Sequence, residues 1–451
     1  MTPTRKSFLL STLTGGATIL ARRTRALLAG LPFLPKVEKQ PTLGGQPILA
    51  QGPFLGDVAS ARAKVWARFG SPGVYRLVVE GGLTRIETTA EASPENDHCV
   101  VWQLNGLESE HRYRYQIWSG DQLIMEDASA YLETLPTQTE PAVTRLAIGS
   151  CAREGPDSRA VWRRMAAVDP DAILLLGDTP YIDTTDLAVQ RRRYAEFAAV
   201  PEFADLLRNR PLYATWDDHD YGLNDSDGRL DGKENARRAF VEFHANPSYG
   251  DGDEGVYTKF RLGGAEIFLL DTRYFSRTES SPISDGPTLL GTRQWEWLRD
   301  GLRSSTAPFK ILASGMIWNY AVRPGKPDHW DSYREEKEAL FQFLGRERIS
   351  GVVLMGGDVH RTRVLRYDTN DSVGYPLTEL ITSPIHDGGG AMVANNAPHP
   401  DLIHDSGEPH SFLLLTVDTT SSPSTLHARF ENSAGREFYS LTLDTTTLSA
   451  D

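Results

Sequence analysis

The rhythm of hydrophobic and polar positions changes near residue 140. Between Leu55 and Leu135, apolar residues alternate with polar ones in short runs at 61–68, 74–80, 99–104, 112–119 and 123–126, with turn residues between them. Period-two alternation at even spacing predicts a small antiparallel β-sandwich. Beyond Pro141 the runs become continuously apolar, at 145–149, 173–177, 211–215, 267–271, 310–314, 352–356 and 377–382. Helical patterns separate them at 158–168, 186–199, 234–245, 292–303 and 333–346, the last with Ala339, Leu340, Phe343 and Leu344 on one face. Strands of this kind, alternating with amphipathic helices, predict an α/β domain with sheet faces covered by helices. Runs at 412–417, 426–430 and 438–443 complete a second sheet, so two sheets face to face with helices outside is the expected arrangement.

At 451 residues the chain exceeds the roughly 250–300 residues at which single cores stop growing. The expected division is a targeting segment and linker over 1–44, a β-domain over 45–137 and an α/β domain over 141–445. Residues 30–52, rich in Pro, Gly and Gln, read as linker. Thr4-Arg5-Lys6-Ser7-Phe8-Leu9-Leu10, ahead of an apolar stretch, resembles a twin-arginine export signal with Lys6 in place of the second arginine. An exported, periplasmic or extracellular protein is therefore expected, with a cytoplasmic arm as the alternative. No apolar stretch reaches the ~20 residues of a membrane span.

The balance of 47 basic and 60 acidic residues gives a net charge of −13, without the basic surface that nucleic-acid backbones require. Two cysteines, Cys99 and Cys151, make no disulfide framework. Cys99 reads as a small buried hydrophobe.

Four predicted strands run into chemically dense loops: Gly-Ser-Cys at 149–151, Gly-Asp-Thr-Pro-Tyr at 177–181, Trp-Asp-Asp-His-Asp at 216–220 and Gly-Asp-Val-His at 357–360. Open α/β sheets place their chemistry at the carboxyl ends of strands. Carboxylates, a thiol, a phenol and imidazoles together point to metal ions. Asp178 has two oxygens with which to bridge a pair of cations. The Tyr181 phenol becomes a strong ligand only when a highly charged ion lowers its pKa from about 10, which favours ferric iron. Cys151 and His360 complete that first position. Asp217 or Asp218, with Asp358, leaves a second, oxygen-rich position suited to Ca2+, Mg2+ or Mn2+.

With Leu-Asp-Thr-Arg at 270–273 and the run Gly-Asp-x-x-Tyr-x-Asp ending at Asp183, these motifs resemble the alkaline phosphatase D (PhoD) family of the calcineurin-like metallophosphoesterase superfamily, over about residues 50–445. The resemblance implies a four-layer α-β-β-α sandwich preceded by a small all-β, fibronectin III-like domain. It implies Fe3+ with Ca2+, the alternatives being Mn2+, Mg2+ and Zn2+. It gives the first metal to Cys151, Asp178, Tyr181 and His360. The second goes to Asp178, Asp218 and Asp358, with Asn224 nearby, and His219 faces the scissile phosphate. The implied activity is phosphate-ester hydrolysis (alkaline phosphatase or phosphodiesterase) by in-line attack of a metal-activated hydroxide. A phospholipase D-type phosphodiesterase and a metal-stabilised envelope binding protein are the alternatives. Pro180 and Arg361-Thr362-Arg363 depart from the family pattern, the latter with a bearing on substrate preference.

Other polar residues receive plainer expectations. Asp217 and Asp220 are expected to hold His219, and Arg273 to brace a strand end. His386 divides between substrate contact and loop polarity. Asp171 and Asp186 read as helix caps. His399, His404 and His410 read as solvated loop, Arg191-Arg192-Arg193 as a solvated helix face, and Trp295, Trp297 and Trp318 as core or rim.

Overall fold

Alternation in the first third of the chain builds two antiparallel sheets. Strands β1 (Leu49–Gly56), β2 (Arg62–Phe69), β3 (Gly73–Gly81), β4 (Thr84–Ala92), β5 (Cys99–Asn105), β6 (Arg112–Ser119) and β7 (Gln122–Glu133) pair in the orders β1-β2-β5 and β4-β3-β6-β7. Along β6, Tyr113, Tyr115 and Ile117 point inward while Arg112 and Arg114 stay exposed. Both sheets feed one core, with Val65 and Phe69 meeting Leu77, Val79 and Trp102. The Tyr113 hydroxyl accepts a 2.8 Å hydrogen bond from the Glu108 amide at the corner before β6. Two elements differ from expectation. The supposed linker over 30–52 gives way at Leu49 to β1, which pairs with β2. Strand β4 alternates between exposed and half-buried positions, so its apolar pattern is too weak to read from sequence.

The computed structural model describes residues 47–320, 326–387 and 396–450. The export-signal reading falls outside them. Residues Gly44–Asp451 make one compact unit. The β-sheets are tied to the rest by buried donors: Trp66 Nε1 donates to Glu242 O at 2.7 Å, and Lys64 Nζ to Asn246 O and Pro247 O at 2.6 and 2.9 Å.

The remaining strands are β8 (Val143–Gly149), β9 (Ala172–Leu176), β10 (Leu212–Thr215), β11 (Thr258–Leu262), β12 (Ala265–Leu269), β13 (Phe309–Ala313), β14 (Val352–Gly356), β15 (Thr362–Tyr367), β16 (Leu377–Ile381), β17 (Leu402–Ser406), β18 (Ser411–Asp418), β19 (Thr425–Asn432) and β20 (Glu437–Asp444). One sheet has the order β10-β9-β8-β18-β19-β20, the other β11-β12-β13-β14-β16-β15-β17. Strands β8, β9 and β10 run parallel, as do β12, β13, β14 and β16. Period two decides which face each residue serves. Leu146, Ile148, Leu174 and Leu176 join Ile267, Leu269, Ile311 and Ala313 of the other sheet in one core. Ala147, Ile173, Leu175 and Ala214 pack instead among helices α1 (Pro156–Ala167), α2 (Leu187–Ala198), α3 (Pro201–Leu207) and, past the short α4 (Asp218–Tyr221), α5 (Lys233–Phe243). Trp295 and Leu298 of α6 (Gly291–Ser304), with Leu340 and Leu344 of α7 (Arg334–Arg346), join the first core. No helix among the described residues is long and apolar enough to cross a membrane.

Asp186 caps α2 as expected, accepting from Val189 N at 2.9 Å. Asp171 is no cap: it precedes β9 and accepts from the Arg145 amide at 2.7 Å, satisfying a donor on the neighbouring strand. The Arg191–Arg193 run is not simply solvated either. Arg191 pairs with Glu242 at 2.6 Å and donates to Glu95 O at 2.6 Å, and Arg193 pairs with Glu154 and Glu196. His404 lies in β17, stacked 4.0 Å from Tyr439, whereas His399 and His410 sit in loops. Trp318 is core, stacked 3.9 Å from Trp330.

Glu379, fully buried on β16, accepts from Trp318 N at 2.9 Å and from the Tyr367 hydroxyl. Burial pushes its carboxyl up to about 7. The folded state therefore binds this proton more tightly than the unfolded chain. That stabilisation is complete below the ordinary glutamate pKa of about 4.3 and is lost as pH rises through about 7, on the order of 3 kcal/mol in all. Glu379→Gln is expected to be relatively more stable the higher the pH. A Tm difference from the parent that grows from pH 5 to pH 8 supports this, and a constant difference contradicts it.

Candidate metal centre

The chemically dense loops all leave the carboxyl ends of parallel strands. Cys151 follows β8, Asp178 and Tyr181 follow β9, and Asp217 to His219 follow β10. Arg273 follows β12, Asp358 and His360 follow β14, and Ser383 to His386 follow β16. Close approach is built into the backbone. Gly177 has φ +86°, and a Cβ there would lie 2.4 Å from the Asp217 amide nitrogen, so only glycine lets these two loops touch. Cys151, Asp178, Asp358 and His360 adopt left-handed φ values of 55°, 54°, 58° and 52°. Aspartate tolerates this region, but cysteine and histidine pay about 1–2 kcal/mol for it, a cost that marks sites where side-chain direction matters.

Two groups of donors share one residue. Cys151, Asp178 and His360 offer ligand atoms all within 4.8 Å of one another, and so do Asp178, Asp217, Asp218 and Asp358. Cys151 Sγ lies 3.5 Å from Asp178 Oδ2. The Tyr181 hydroxyl lies 2.8 Å from His360 Nε2 and 2.9 Å from His386 Nε2. Ser383, which sequence reading passed over, donates to Cys151 Sγ at 3.1 Å and accepts from His360 N at 3.0 Å, fixing two donors at once. His386 is buried, and its amide donates to Cys151 O at 3.1 Å, so it belongs to the wall of the site rather than to a solvated loop. Asn224 is exposed, and its side chain makes no hydrogen bond with the described residues. Its neighbour's amide, Asp225 N, reaches Asp218 Oδ2 at 2.6 Å.

This concentration of acid is barely compensated. Burial, then Asp218 and Asp217, push the Asp178 carboxyl well above the usual range. Burial likewise raises Asp217, with Arg273 opposing. At Asp218 burial is outweighed by Arg273 and His219, which hold it below the usual range. Burial and Asp178 drive the Cys151 thiol up. Asp217 Oδ2 and Asp218 Oδ1 are buried without a hydrogen-bond partner among the described residues, an arrangement that ordinarily costs 1–3 kcal/mol or more per group. A multivalent cation would satisfy those oxygens and reverse the upward shifts. The donor set therefore fits metal.

Arg273 is the buried counter-charge. Its Nε donates to Asp217 Oδ1 at 2.7 Å, and its Nη atoms hold Asp328 at 2.7 and 2.9 Å. Asp271 fixes that loop by accepting from Trp216 Nε1, Arg273 N, Tyr274 N and Val256 N. Arg273 thus ties the loop after β12 to Asp217 and Asp328. The expectation that Asp217 and Asp220 hold His219 is corrected. Asp217 is engaged by Arg273, and Asp220 by the Asp217 and Thr179 amides at 2.6 and 3.4 Å. His219 Nδ1 is instead 2.5 Å from Asp183 Oδ1. The Ile182 and Asp183 amides both donate to His219 O, which brings that carboxylate to the ring. Burial lowers the His219 pKa, but Asp183 and Asp218 outweigh it, and the net shift is upward. Asp183 was visible as the last position of the Gly-Asp-x-x-Tyr-x-Asp run, yet nothing in sequence tied it to His219. Arg361 and Arg363, the departure from the family pattern after His360, both have partners within the protein. Arg361 pairs with Asp405 at 2.7 and 3.0 Å across β15 and β17, and Arg363 is buried against Ala397 O.

The PhoD-like phosphatase family matches residues 146–411. Alkaline phosphatase D of Bacillus subtilis (strain 168) is 26% identical over 336 residues, covering 63% of this chain and 56% of that protein. The chain thus spans little more than half the length of that relative. A solved structure of PhoD superposes with a TM-score of 0.70 at 20% identity, covering 88% of this chain and 93% of the other. Purple acid phosphatase PPD1 from yellow lupin (Lupinus luteus) seeds superposes with a TM-score of 0.66 at 16% identity, covering 87% and 74%. At such identities the likeness is one of fold, a mixed α/β architecture with several sheets. Every loop of the centre, from Cys151 to His386, falls inside the matched family segment, and the chain belongs to the PhoD-like phosphatase family.

Proposed function

We propose that this chain is a metal-dependent phosphate-ester hydrolase. The observation that carries the reading is the sharing of Asp178 between two donor groups. Cys151, Asp178, Tyr181 and His360 would hold Fe3+. Asp178, Asp218 and Asp358 would hold Ca2+ or another divalent ion, with Asn224 at the rim. When bound, such a pair neutralises phosphate oxygens and lowers the pKa of a coordinated water. The protein's own part falls to His219. Held at Nδ1 by Asp183, its imidazole keeps Nε2 for the substrate, where it stabilises developing charge or protonates the leaving oxygen. Ser383 orients the thiol and His360, and Arg273 keeps Asp217 in place beneath the site.

The same reading extends to the whole chain. We infer a four-layer α-β-β-α catalytic domain over 141–445 and a fibronectin III-like domain over 45–137, a division supported by their separate cores and by the Tyr113 corner bond. An exported protein with a phosphate-ester substrate and no nucleic-acid partner fits the amino-terminal motif and the net charge of −13.

Metal-loaded protein is expected to hydrolyse p-nitrophenyl phosphate or its bis-ester. His219→Ala should lower kcat by about 10²–10⁴-fold with metal content unchanged, and Asp178→Ala should lose both metal and turnover. Undiminished activity in either variant contradicts the assignment, and so does an active parent without stoichiometric metal. With iron beside a phenolate, the protein should show a visible charge-transfer band that Tyr181→Phe removes. A colourless, active protein would replace iron by another ion.

A further inference from the structure

Most cations around the centre already have an anionic partner. Arg273 is held by Asp217 and Asp328, Lys326 by Asp225, Arg193 by Glu154 and Glu196, and Arg361 by Asp405. Arg153 is different. It lies two residues past Cys151, in the loop after β8, and is exposed. Its guanidinium makes no hydrogen bond or ion pair with the described residues. It stacks on the Tyr181 ring, with Cζ 4.7 Å from the ring centroid. That ring carries the hydroxyl between His360 and His386 and lies 4.6 Å from the His219 ring.

A long exposed arginine ordinarily samples many rotamers in water. Stacking on an aromatic face restricts this one and leaves its in-plane donors free. The guanidinium is a rigid fork that matches the oxygens of a phosphoryl group in a way that a lysine ammonium does not. The partners already present in the site are mostly acidic, so an approaching phosphate anion meets repulsion from the carboxylates that the cations do not fully mask. An unpaired guanidinium at the mouth offsets it.

We propose that Arg153 grips a terminal oxygen of the substrate phosphoryl group and sets a preference for monoesters over diesters. This rests on the phosphate-ester reading above. A monoester carries one more terminal oxygen and, near neutral pH, one more negative charge than a diester. Arg153 therefore strengthens the monoester's hold on the site more than the diester's. No bond is made or broken by the residue, which acts as a specificity contact.

The test compares the metal-loaded parent with Arg153→Met and Arg153→Lys, using p-nitrophenyl phosphate, its bis-ester and inorganic phosphate. Arg153→Met is expected to lower the monoester-to-diester ratio of kcat/KM by about tenfold, the scale of one charge-assisted hydrogen bond. It is also expected to weaken inorganic phosphate, measured by calorimetry, by about the same factor. Arg153→Lys should recover part of each loss, since it keeps the charge without the fork. An unchanged ratio, or an unchanged phosphate affinity, overturns the proposal. If the parent hydrolyses neither ester, the hydrolase reading fails, and phosphate calorimetry still decides whether Arg153 binds the anion.

Discussion

Negative charge gathered out of water at Asp178 is the constraint around which the rest of the structure is arranged. Asp178, Asp217, Asp218 and Asp358 converge there with a buried thiol, and Arg273 is the one fully buried cation set against them among the described residues. Like charges at this spacing in low dielectric repel strongly, and no amount of surrounding packing removes that cost. The protein holds the groups in place regardless, through left-handed backbone at four donor positions, the glycine at 177 and the Ser383 bridge. A centre built against its own electrostatics makes physical sense when cations complete it.

The sheets explain how this is sustained. Both sheets bury one face against the other in a shared apolar core, so the strand ends are rigid platforms. Loops from six parallel strands then meet at one edge, and each contributes a short stretch of polar chain rather than a whole element. The β-sheets ahead of residue 141 fasten to the same unit through Trp66 and Lys64 at some distance in sequence from the centre. They shape the body that carries the site and supply none of its donors.

Much of this was legible in the order of residues, for definable reasons. Buried parallel strands are continuous apolar runs, so 173–177 and 352–356 announced themselves, and the polar loops directly after them marked the centre. Edge strands such as β4, with polar residues on both faces, carry no such signal. Pairings that depend on tertiary geometry were also hidden. Asp183 reaches His219 only because two backbone amides fold that loop back. Asp171 and His404 were misread because their partners, the Arg145 amide and Tyr439, lie on strands far away in the chain. The arginines after His360 looked available for substrate in sequence, while the one that stacks at the mouth sits in an unremarked position after Cys151.

Anomalous diffraction from crystals of metal-loaded protein tests the central claim most directly. Two peaks are predicted on either side of the Asp178 carboxylate, one beside Cys151 and His360 and the other beside Asp218 and Asp358. Absence of ordered metal there, or a single ion that does not touch Asp178, would contradict the account.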